Sequence, residues 1–407
     1  MFAMVVTVVS AGVALLLALP AISDLLCLLR PRTGRREPAP GTSLPRLLFL
    51  VPAHDEELLV TACVQSIQAL DYPAGTFRTV VIADNCADRT VELARAAGAE
   101  CLERRDPLAP GKPQAVGWAL RQLALGDYDA CVIVDADTVV DRAFARALAR
   151  WAPLRGKLLQ ACERPLNETD SWLTRLAGLL ARRRGEVALP LKESAGLNCP
   201  LTCDGTCIGG DILVRDGWQA TSLTENWELY ARYTVAGVPI HFAREAQIHY
   251  QEARTLRQAA TQRRRWLAGR LWVLRHWGGA LIRSSHITPH QKLDALCELG
   301  APSPVLHLAL ALILAAITLT WLPRPAGTAI AALAVGSLGS QVVATLVALR
   351  RHPRPWATLS ALLMLPVYGV WRLFLTVLTL LTLRDTRWRK TEHHGDALPA
   401  AAGDRTG

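Results

Sequence analysis

The stretch Val132-Ile-Val-Asp-Ala-Asp-Thr138 joins a run of β-branched and apolar residues to two carboxylates, Asp135 and Asp137, one residue apart. Such a run favours a buried strand, and side chains alternate between the two faces of a strand. The spacing therefore predicts that both carboxylates point the same way where the strand ends. Carboxylates at this spacing can hold Mg²⁺ or Mn²⁺ together with substrate phosphates. Alone, the triplet is weak evidence, because Asp pairs are also common in turns and helix caps.

Acidic residues also follow two earlier predicted strands. Leu47–Val51 and Thr79–Ala83 are apolar runs typical of buried strands. Asp84 comes directly after the second run, and Asp55 follows the first after Pro52-Ala-His54. Helical patterns alternate with the strands, so the sequence predicts an α/β domain with a mostly parallel sheet covered on both faces. Ligands bind at the carboxyl ends of the strands in such sheets. Asp55, Asp84 and Asp137 are therefore predicted to share one site.

Four apolar blocks frame this domain in a chain of 407 residues with 51% hydrophobic content. The first block covers residues 2–29, with Asp24 as its only charge, and is long enough to cross a bilayer of about 30 Å. The others cover residues 302–322, 326–349 and 356–383. The region between is mixed and charge-rich. We therefore predict a multi-pass protein of the cell (inner) membrane with an enzyme-like domain, not a transporter.

The first apolar block fits either a cleaved secretory signal or an uncleaved anchor. The anchor is favoured, because the block is long and no Lys or Arg precedes it. Arg30, Arg32, Arg35 and Arg36 follow it, and the positive-inside rule then places the domain in the cytoplasm. The net charge of +10 suits an anionic membrane surface and an anionic substrate. It does not favour nucleic acid as a partner, because no motif that reads nucleic acid appears.

Three later segments carry candidate functional residues. Adjacent Gly209 and Gly210 predict a close approach of the backbone to a ligand. Thr224 and Glu225 open a predicted helix, and capping by Thr224 with a favourable dipole contact from Glu225 accounts for both on local evidence. The segment Gln262-Arg-Arg-Arg-Trp266 fits a membrane-interface anchor or a clamp for a diphosphate beside a sugar ring.

Taken in order, these segments resemble the processive and membrane-bound family 2 glycosyltransferases, the class that contains cellulose, hyaluronan, chitin and poly-N-acetylglucosamine synthases. Several ordered motifs over roughly two hundred residues are a specific signal, whereas each motif alone is weak. The matching residues are Val51-Pro-Ala-His-Asp-Glu-Glu57, Asp84, Gly111-Lys112, Asp135-x-Asp137, Thr224-Glu225, Gln262-x-x-Arg265-Trp266 and Trp388-Arg-Lys-Thr391.

The resemblance implies a domain order. A GT-A (Rossmann-like) domain would occupy residues 37–250, after an N-terminal transmembrane anchor at residues 1–29. Amphipathic interface helices with the Q-x-x-R-W motif would cover residues 251–298. A C-terminal transmembrane region would follow at residues 299–384, and then a basic and finally disordered tail at residues 385–407.

The number of C-terminal spans stays open. Pro366 and Arg372 lie in the last apolar block, so this block either crosses the membrane or lies partly in its interface. Arg350, Arg351 and Arg354 fit a cytoplasmic loop, and we expect a cytoplasmic tail.

The resemblance also implies how a UDP-sugar donor is bound. Glu56 and Asp84 would hold the ribose and uracil, with Lys112 near the nucleotide. Asp135 would contact the nucleotide, and Asp137 would bind the Mg²⁺ or Mn²⁺ at the diphosphate.

The remaining implied roles concern the transfer step. Arg265, within the motif that Gln262 opens, would neutralise the departing UDP, and Trp266 would stack at the acceptor. The reaction would be a displacement at the anomeric carbon, with inversion and without a covalent sugar–enzyme intermediate. Metal and Arg would stabilise the leaving diphosphate.

One position departs from the family pattern. The family's T-E-D motif supplies an Asp as general base, and Asn226 stands in that place. An amide cannot usefully accept a proton near neutral pH. Three interpretations follow: Glu225 or Glu228 acts as the base, the acceptor is an anionic lipid phosphate that needs no base, or catalysis is weak. We favour the first, since the pattern Thr-Glu-x-x-Glu-Leu is otherwise intact.

Two hypotheses from different classes remain. The chain is either a membrane enzyme that transfers a sugar to a saccharide or lipid acceptor, or a non-catalytic sensor or assembly subunit that binds nucleotide sugars. Asn226 motivates the second hypothesis. The few apolar blocks argue mildly against a wide translocating channel within one chain, although a homo-oligomer would form one.

Overall fold

The computed structural model describes residues 2–30, 44–201, 204–222 and 224–382. These residues contain eight strands and sixteen α-helices. The strands are β1 (Leu47–Ala53), β2 (Phe77–Asp84), β3 (Glu100–Arg104), β4 (Ala130–Ile133), β5 (Thr138–Val140), β6 (Leu158–Pro165), β7 (Thr206–Gly209) and β8 (Ile240–Tyr250). The helices are α1 (Phe2–Leu29), α2 (Val60–Gln68), α3 (Thr90–Ala96), α4 (Lys112–Leu120), α5 (Phe144–Ala149), α6 (Trp172–Arg183), α7 (Leu189–Ser194), α8 (Gly210–Asp216), α9 (Glu225–Val235), α10 (Leu256–Arg283), α11 (Pro289–Gly300), α12 (Pro304–Trp321), α13 (Ala326–Gly336), α14 (Gly339–Arg350), α15 (Pro355–Leu362) and α16 (Leu365–Leu381).

The described residues form two compact units. The sheet unit contains residues 44–168 and 198–253, with all the strands and α2–α5, α8 and α9. The helical unit contains residues 2–30, 169–197 and 254–382. The sequence-based domain order placed residues 169–197 in the GT-A domain at 37–250. They belong to the helical unit instead, because α6 packs against α14 and α15.

One half of the sheet is the predicted parallel arrangement. The strand order is β3-β2-β1-β4-β7-β6-β8-β5, and β1 pairs in parallel with β2 and β4. β1 is buried at nearly every position, which explains its almost continuous apolar sequence. Phe49 of this strand packs with Phe77 and Phe144.

The other half of the sheet is mixed. β7 runs antiparallel to β4 and β6, β8 runs parallel to β6, and β5 forms an antiparallel edge beside β8. The predicted α/β class with a mostly parallel sheet is confirmed, whereas the antiparallel strands were not predicted. β5 and β7 have three and four residues, too few for a periodic pattern to show in the sequence.

The helical unit has its own apolar core. α1 packs against α12 and α13, and residues from these helices form a buried cluster that includes Ala14, Leu17, Ala311 and Ala334. Small residues such as Ala14 and Ala311 allow the helices to approach closely, and larger side chains such as Leu17 and Ile330 are buried in the same cluster.

Three helices are long and apolar enough to cross a membrane: Met4–Leu29, Pro304–Trp321 and Ala326–Arg350. They coincide with the first three predicted apolar blocks. The fourth block forms α15 and α16, which together count as a fourth candidate and are bent by 53°. Pro366 lies in the first turn of α16, where its missing N–H costs no helical hydrogen bond.

Candidate active site

Hydrogen bonds connect the loops after β1 and β2, and each loop contains a residue with a positive φ value. Asp55 and Asn85 have φ values of 54° and 52°, in the left-handed region that Asp and Asn tolerate better than most residues. The Asp55 carboxylate accepts a hydrogen bond from the Ala87 N–H at 2.7 Å. His54 Nδ1 lies 2.7 Å from the Asp84 carbonyl oxygen, so His54 links the two loops.

Asp84 ends β2 and is buried in a network of donors. Its carboxylate accepts hydrogen bonds from Arg104 Nη1 at 2.6 Å, the Gly111 N–H at 2.9 Å and Asn85 Nδ2 at 3.0 Å. Gly111 has a φ of 118°, which only glycine adopts readily. Asp84 thus fixes the start of α4, where Lys112 begins the helix. Its predicted contact with the nucleotide stays a prediction.

Arg104 is a site residue that the sequence did not single out. It is buried at the end of β3, and its other Nη donates to the Asp106 carboxylate and the Ala109 carbonyl at 2.8 Å. The signal lies in strand register, because Arg104 pairs directly with Asp84 across β2 and β3. Register is visible only once the two strands are known to be neighbours.

The Asp135–Asp137 segment is a turn and not the end of a strand. β4 ends at Ile133, and the Thr138 N–H donates to the Asp135 carbonyl at 3.1 Å, which closes a β-turn. The alternation of side chains along a strand therefore does not orient these two carboxylates, and the prediction based on it was wrong. Asp at the first position of such a turn is common for local reasons.

Lys112 bridges the turn to α9. Its Nζ lies 2.5 Å from Asp135 Oδ1 and 3.2 Å from Glu225 Oε1. Three separated segments thus meet at the carboxyl ends of the parallel strands, through Lys112, Asp135 and Glu225. The roles that the resemblance implies for these residues stay predictions. Asp137 is half-buried in the same turn.

Asp204 holds the Asp135–Thr138 turn through hydrogen bonds and is a second residue that the sequence analysis did not single out. Its buried carboxylate accepts hydrogen bonds from the N–H groups of Asp135 and Gly205, both at 2.8 Å, and from the Thr138 hydroxyl. Burial, and then the charge of Asp135, raise the pKa of Asp204 well above its ordinary value. Its sequence context before Gly205 indicates only a turn.

The two candidate bases have different surroundings. Glu228 Oε2 accepts hydrogen bonds from the N–H groups of Thr221 and Ser222 at 3.0 and 2.8 Å, so this carboxylate holds the loop before α9. Glu225 Oε1 lies near Lys112 and 3.4 Å from Asn226 Nδ2. Asn226 is buried beside it.

Thr224 is the N-cap residue of α9, as predicted, but its side chain makes no capping bond. Its buried hydroxyl has no hydrogen-bond partner among the described residues. Glu56 is half-buried where the chain approaches α2, and its N–H donates to the Thr90 hydroxyl at 2.8 Å.

The Q-x-x-R-W motif lies on α10, in the helical unit. Gln262, Arg265 and Trp266 are three and four residues apart and therefore share one face of the helix. The guanidinium carbon of Arg263 lies 4.5 Å from the centre of the Trp266 ring, a cation–π contact.

One further group of ligand atoms lies close together in the described part of the chain. Asp55, Cys86 and Asp88 each offer an atom within 4.8 Å of the others. Asp88 is already used, because its Oδ1 accepts hydrogen bonds from the N–H and hydroxyl of Thr90, the first residue of α3. This group does not include Asp137.

Comparison with known proteins places this site in a family. A family model described as "Glycosyltransferase like family 2" matches residues 45–269, more than half of the chain. The chain therefore belongs to glycosyltransferase family 2 and is a glycosyltransferase by family, which confirms the resemblance seen in its motifs. The resemblance to cellulose, hyaluronan and chitin synthases in particular stays a prediction.

Two similar proteins illustrate the match. The probable glycosyltransferase YdaM of Bacillus subtilis (strain 168) is 25% identical over 247 residues, which cover 57% of this chain and 56% of that protein. The match thus spans little more than half of this relative. The structure of the mannosyltransferase PcManGT from Pyrobaculum calidifontis, in complex with GDP-Man and Mn²⁺, has a TM-score of 0.57 and 19% identity. The similarity covers 94% of this chain and 99% of that one, and it shows a common fold.

Proposed function

We propose that the chain is a membrane-bound, inverting glycosyltransferase that moves a sugar from a nucleotide-sugar donor, a UDP-sugar in the first instance, to a saccharide or lipid acceptor. The observation that carries this proposal is the meeting of Lys112, Asp135 and Glu225 at the strand ends. A cation, an anion and a candidate base converge there, which is what displacement at a sugar carbon beside a diphosphate requires.

Donor binding is assigned to the strand ends. Glu56 and Asp84 would face the ribose and base, and Lys112 and Asp135 the nucleotide. The Lys112–Asp135 ion pair supports this, because a phosphate group can compete for Lys112 as an alternative anion. Since PcManGT was solved with GDP-Man, the donor tests below include GDP-sugars.

A divalent cation fits the Asp135–Asp137 turn. Carboxylate oxygens are the ligands that Mg²⁺ and Mn²⁺ prefer, and both ions take phosphate oxygens as further ligands. Asp137 would be the ligand from the protein, on the turn that Asp204 supports. When bound, the ion would neutralise charge on the diphosphate.

Glu225 is the proposed general base. Glu228 is the weaker candidate, because two N–H groups already use its Oε2. The acceptor hydroxyl would give its proton to Glu225 while its oxygen forms the new bond to the anomeric carbon. The bond from that carbon to the diphosphate breaks on the opposite side, and Arg265 would balance the charge of the leaving nucleotide. Gln262 and Trp266 would contact the acceptor.

Membrane attachment is proposed from the three to four helices of membrane-spanning length and composition. Large apolar side chains are exposed along them, such as Leu28 at 66% and Val343 at 61%. Such surfaces suit lipid and not water. Arg30 at the end of α1 supports a cytoplasmic sheet unit in the cell (inner) membrane. The other predicted flanking arginines and the W-x-K-T tail lie outside the described residues.

The test is release of UDP or GDP from a panel of nucleotide sugars by the purified full-length protein in lipid with Mg²⁺ or Mn²⁺. We expect release from one donor, and its loss in Asp137→Asn. The matched control is Asp127→Asn, which changes an exposed carboxylate elsewhere in the sheet unit and should leave the rate unchanged.

The alternative function is a nucleotide-sugar sensor or assembly subunit, which Asn226 favours. Tight donor binding without nucleotide release, even with lipid extract as acceptor, would support the sensor and refute the transferase. If release is equal in Asp137→Asn and the parent protein, the metal assignment is wrong even though the chain is an enzyme.

A further inference from the structure

Four arginines from three helical segments lie near one another inside the helical unit. Arg183 ends α6 and Arg184 begins the turn Arg184–Ala188, while Arg270 belongs to α10 and Arg372 to α16. Arg270 donates to the carbonyl oxygens of Leu299 and Ala301, and Arg372 Nη2 donates to the Ser303 hydroxyl at 3.2 Å, so both reach the junction of α11 and α12. These four residues are the arginine cluster.

The arginine cluster has buried donors without acceptors. Within the described residues, Arg183 Nε, Arg184 Nη2 and Arg372 Nε are buried and have no hydrogen-bond partner. A buried donor on a cation is costly to leave unsatisfied, and such groups are normally paired. Donors that no described residue satisfies are typical of a site that receives an anion from outside.

The nearby carboxylates do not balance the cluster. Glu298 lies near Arg183, Arg184 and Arg270, and Asp24 lies near Arg183. Glu298 also pairs with Lys192, whose Nζ lies 2.8 Å from Asp294 as well. Burial lowers the pKa of Arg270 to about 10, with the charge of Glu298 opposing this effect and the charges of Arg184 and Arg372 adding to it. Like charges that lower one another's pKa gain from an added anion.

The backbone at the cluster is also unusual. Residues Arg184–Ala188 form a π-helical turn between α6 and α7. Such turns are rare and are often found at functional sites. Here the turn directly follows Arg183 and begins with Arg184.

We infer that the arginine cluster binds a phosphate or diphosphate group, either the head group of a membrane lipid or a soluble phosphate. A phosphate monoester carries close to two negative charges and three acceptor oxygens, whereas a carboxylate offers one charge and two oxygens. Guanidinium groups are suited to bidentate contacts with phosphate oxygens. The site lies within the helical unit and does not depend on the proposed transferase reaction.

The experiment measures thermal unfolding of the full-length protein in phosphatidylcholine nanodiscs. One arm adds phosphatidic acid, a lipid phosphate monoester, to the nanodisc, and the other adds inorganic pyrophosphate to the solution. We expect at least one probe to raise the unfolding temperature, and the arm that does so identifies the source of the phosphate. In Arg183→Gln and Arg270→Gln, half-saturation should require about tenfold more probe or more, as expected for the loss of one charge-assisted hydrogen bond.

Two controls separate binding from folding. Arg275→Gln removes an exposed arginine from the same helix as Arg270 and should keep the full response. Arg183→Gln should unfold at no lower temperature than the parent without probe, because no hydrogen bond to the Arg183 Nε is lost. The inference is overturned if neither probe raises the unfolding temperature, or if the response is the same in the parent, Arg183→Gln and Arg270→Gln.

Discussion

Among single residues, Asn226 and Glu225 bear on which side chain acts as the general base. Asn226 occupies the place of the family's usual base, and Glu225, its neighbour, lies 3.2 Å from Lys112. A carboxylate in this position can accept the proton of an acceptor hydroxyl once Lys112 turns to the donor. The surroundings of Glu225 and Glu228, which sequence alone left equivalent, therefore favour Glu225 as the proposed base.

Replacement of the proposed base tests this assignment. We expect Glu225→Gln to lower kcat by about 10²- to 10⁴-fold, the usual contribution of general-base catalysis, with donor binding within a few-fold of the parent. The measurement is nucleotide release under saturating donor, together with donor binding. Glu228→Gln is the matched control on the same helix, because a glutamine oxygen can still accept the two N–H bonds, and it should lose far less.

A second carboxylate should rescue the first variant. Asn226→Asp in the Glu225→Gln background restores an acid one residue away, so part of the lost rate should return. A Glu225→Gln protein as fast as the parent would exclude Glu225 and leave an acceptor that needs no base.

Asp204 is predicted to be a positioning residue for the turn that carries Asp135 and Asp137. In Asp204→Ala, two N–H groups and the Thr138 hydroxyl lose their acceptor. We expect the Mn²⁺ concentration for half-maximal turnover to rise about tenfold or more, as for other residues that support metal ligands. Metal titrations of nucleotide release measure this.

The control for Asp204 is Asp211→Ala, which removes a carboxylate that accepts only from the Gly156 N–H on the exposed surface. Its metal requirement should not change. If Asp204→Ala lowers the rate at all metal concentrations without a change in half-saturation, Asp204 has no role in positioning the metal ligand.

Among the secondary-structure elements, the junction of β7 and α8 explains why Gly209 and Gly210 are both glycine. Gly209 ends β7 and Gly210 begins α8. A Cβ on Gly209 would lie 2.6 Å from the Leu154 carbonyl oxygen, and one on Gly210 would overlap that of Tyr128. The close approach that the structure shows is to the protein's own backbone, and the predicted approach to a ligand stays a prediction.

The close approach of Gly210 to the Tyr128 carbonyl oxygen predicts that a larger residue at this position destabilises the protein. Gly210→Ala should lower the free energy of unfolding by about 1–3 kcal/mol, the usual cost of an overpacked site. Chemical denaturation of the detergent-solubilised protein measures it. Gly126→Ala is the control, because no heavy atom lies within 4 Å of its added Cβ. Equal stability of the two variants would show that the junction relaxes freely.

At the scale of the whole molecule, the apolar helices predict integral membrane attachment. The candidate spans expose large apolar side chains over much of their length, and water does not stabilise such surfaces. We expect the protein to stay in the membrane pellet after washes with high salt and alkaline carbonate, and to dissolve only with detergent. Release by salt alone would indicate a peripheral, electrostatic attachment.

Metal dependence is a second property of the whole enzyme. EDTA should abolish nucleotide release, and Mn²⁺ or Mg²⁺ should restore it, because a diphosphate leaving group needs its charge neutralised. EDTA that has first been saturated with Mg²⁺ serves as the control and should have no effect. Full activity in excess EDTA would contradict the assignment of Asp137.

Helices, strands and motifs whose signals lie in a short stretch of chain can be predicted from the amino-acid sequence alone. Long apolar runs identified β1 and β2 and the helices of membrane length, and ordered motifs identified the family. The rule that parallel strands end at one edge of the sheet also predicted a shared site for Asp55, Asp84 and Asp137, which stays a prediction. Each of these inferences needs only a short window of sequence or a general rule of topology.

The contact partners of the site residues become visible only in the folded chain. Asp204 contacts Asp135 across 69 positions of sequence, and Arg104 contacts Asp84 across 20. Arg184, Arg270 and Arg372 are electrostatic neighbours, although they belong to three segments that lie far apart in the sequence. A single sequence carries no signal for such pairs, because the contacts depend on strand register and helix packing. Those are set by the burial of many residues at once and not by the pattern around any one of them.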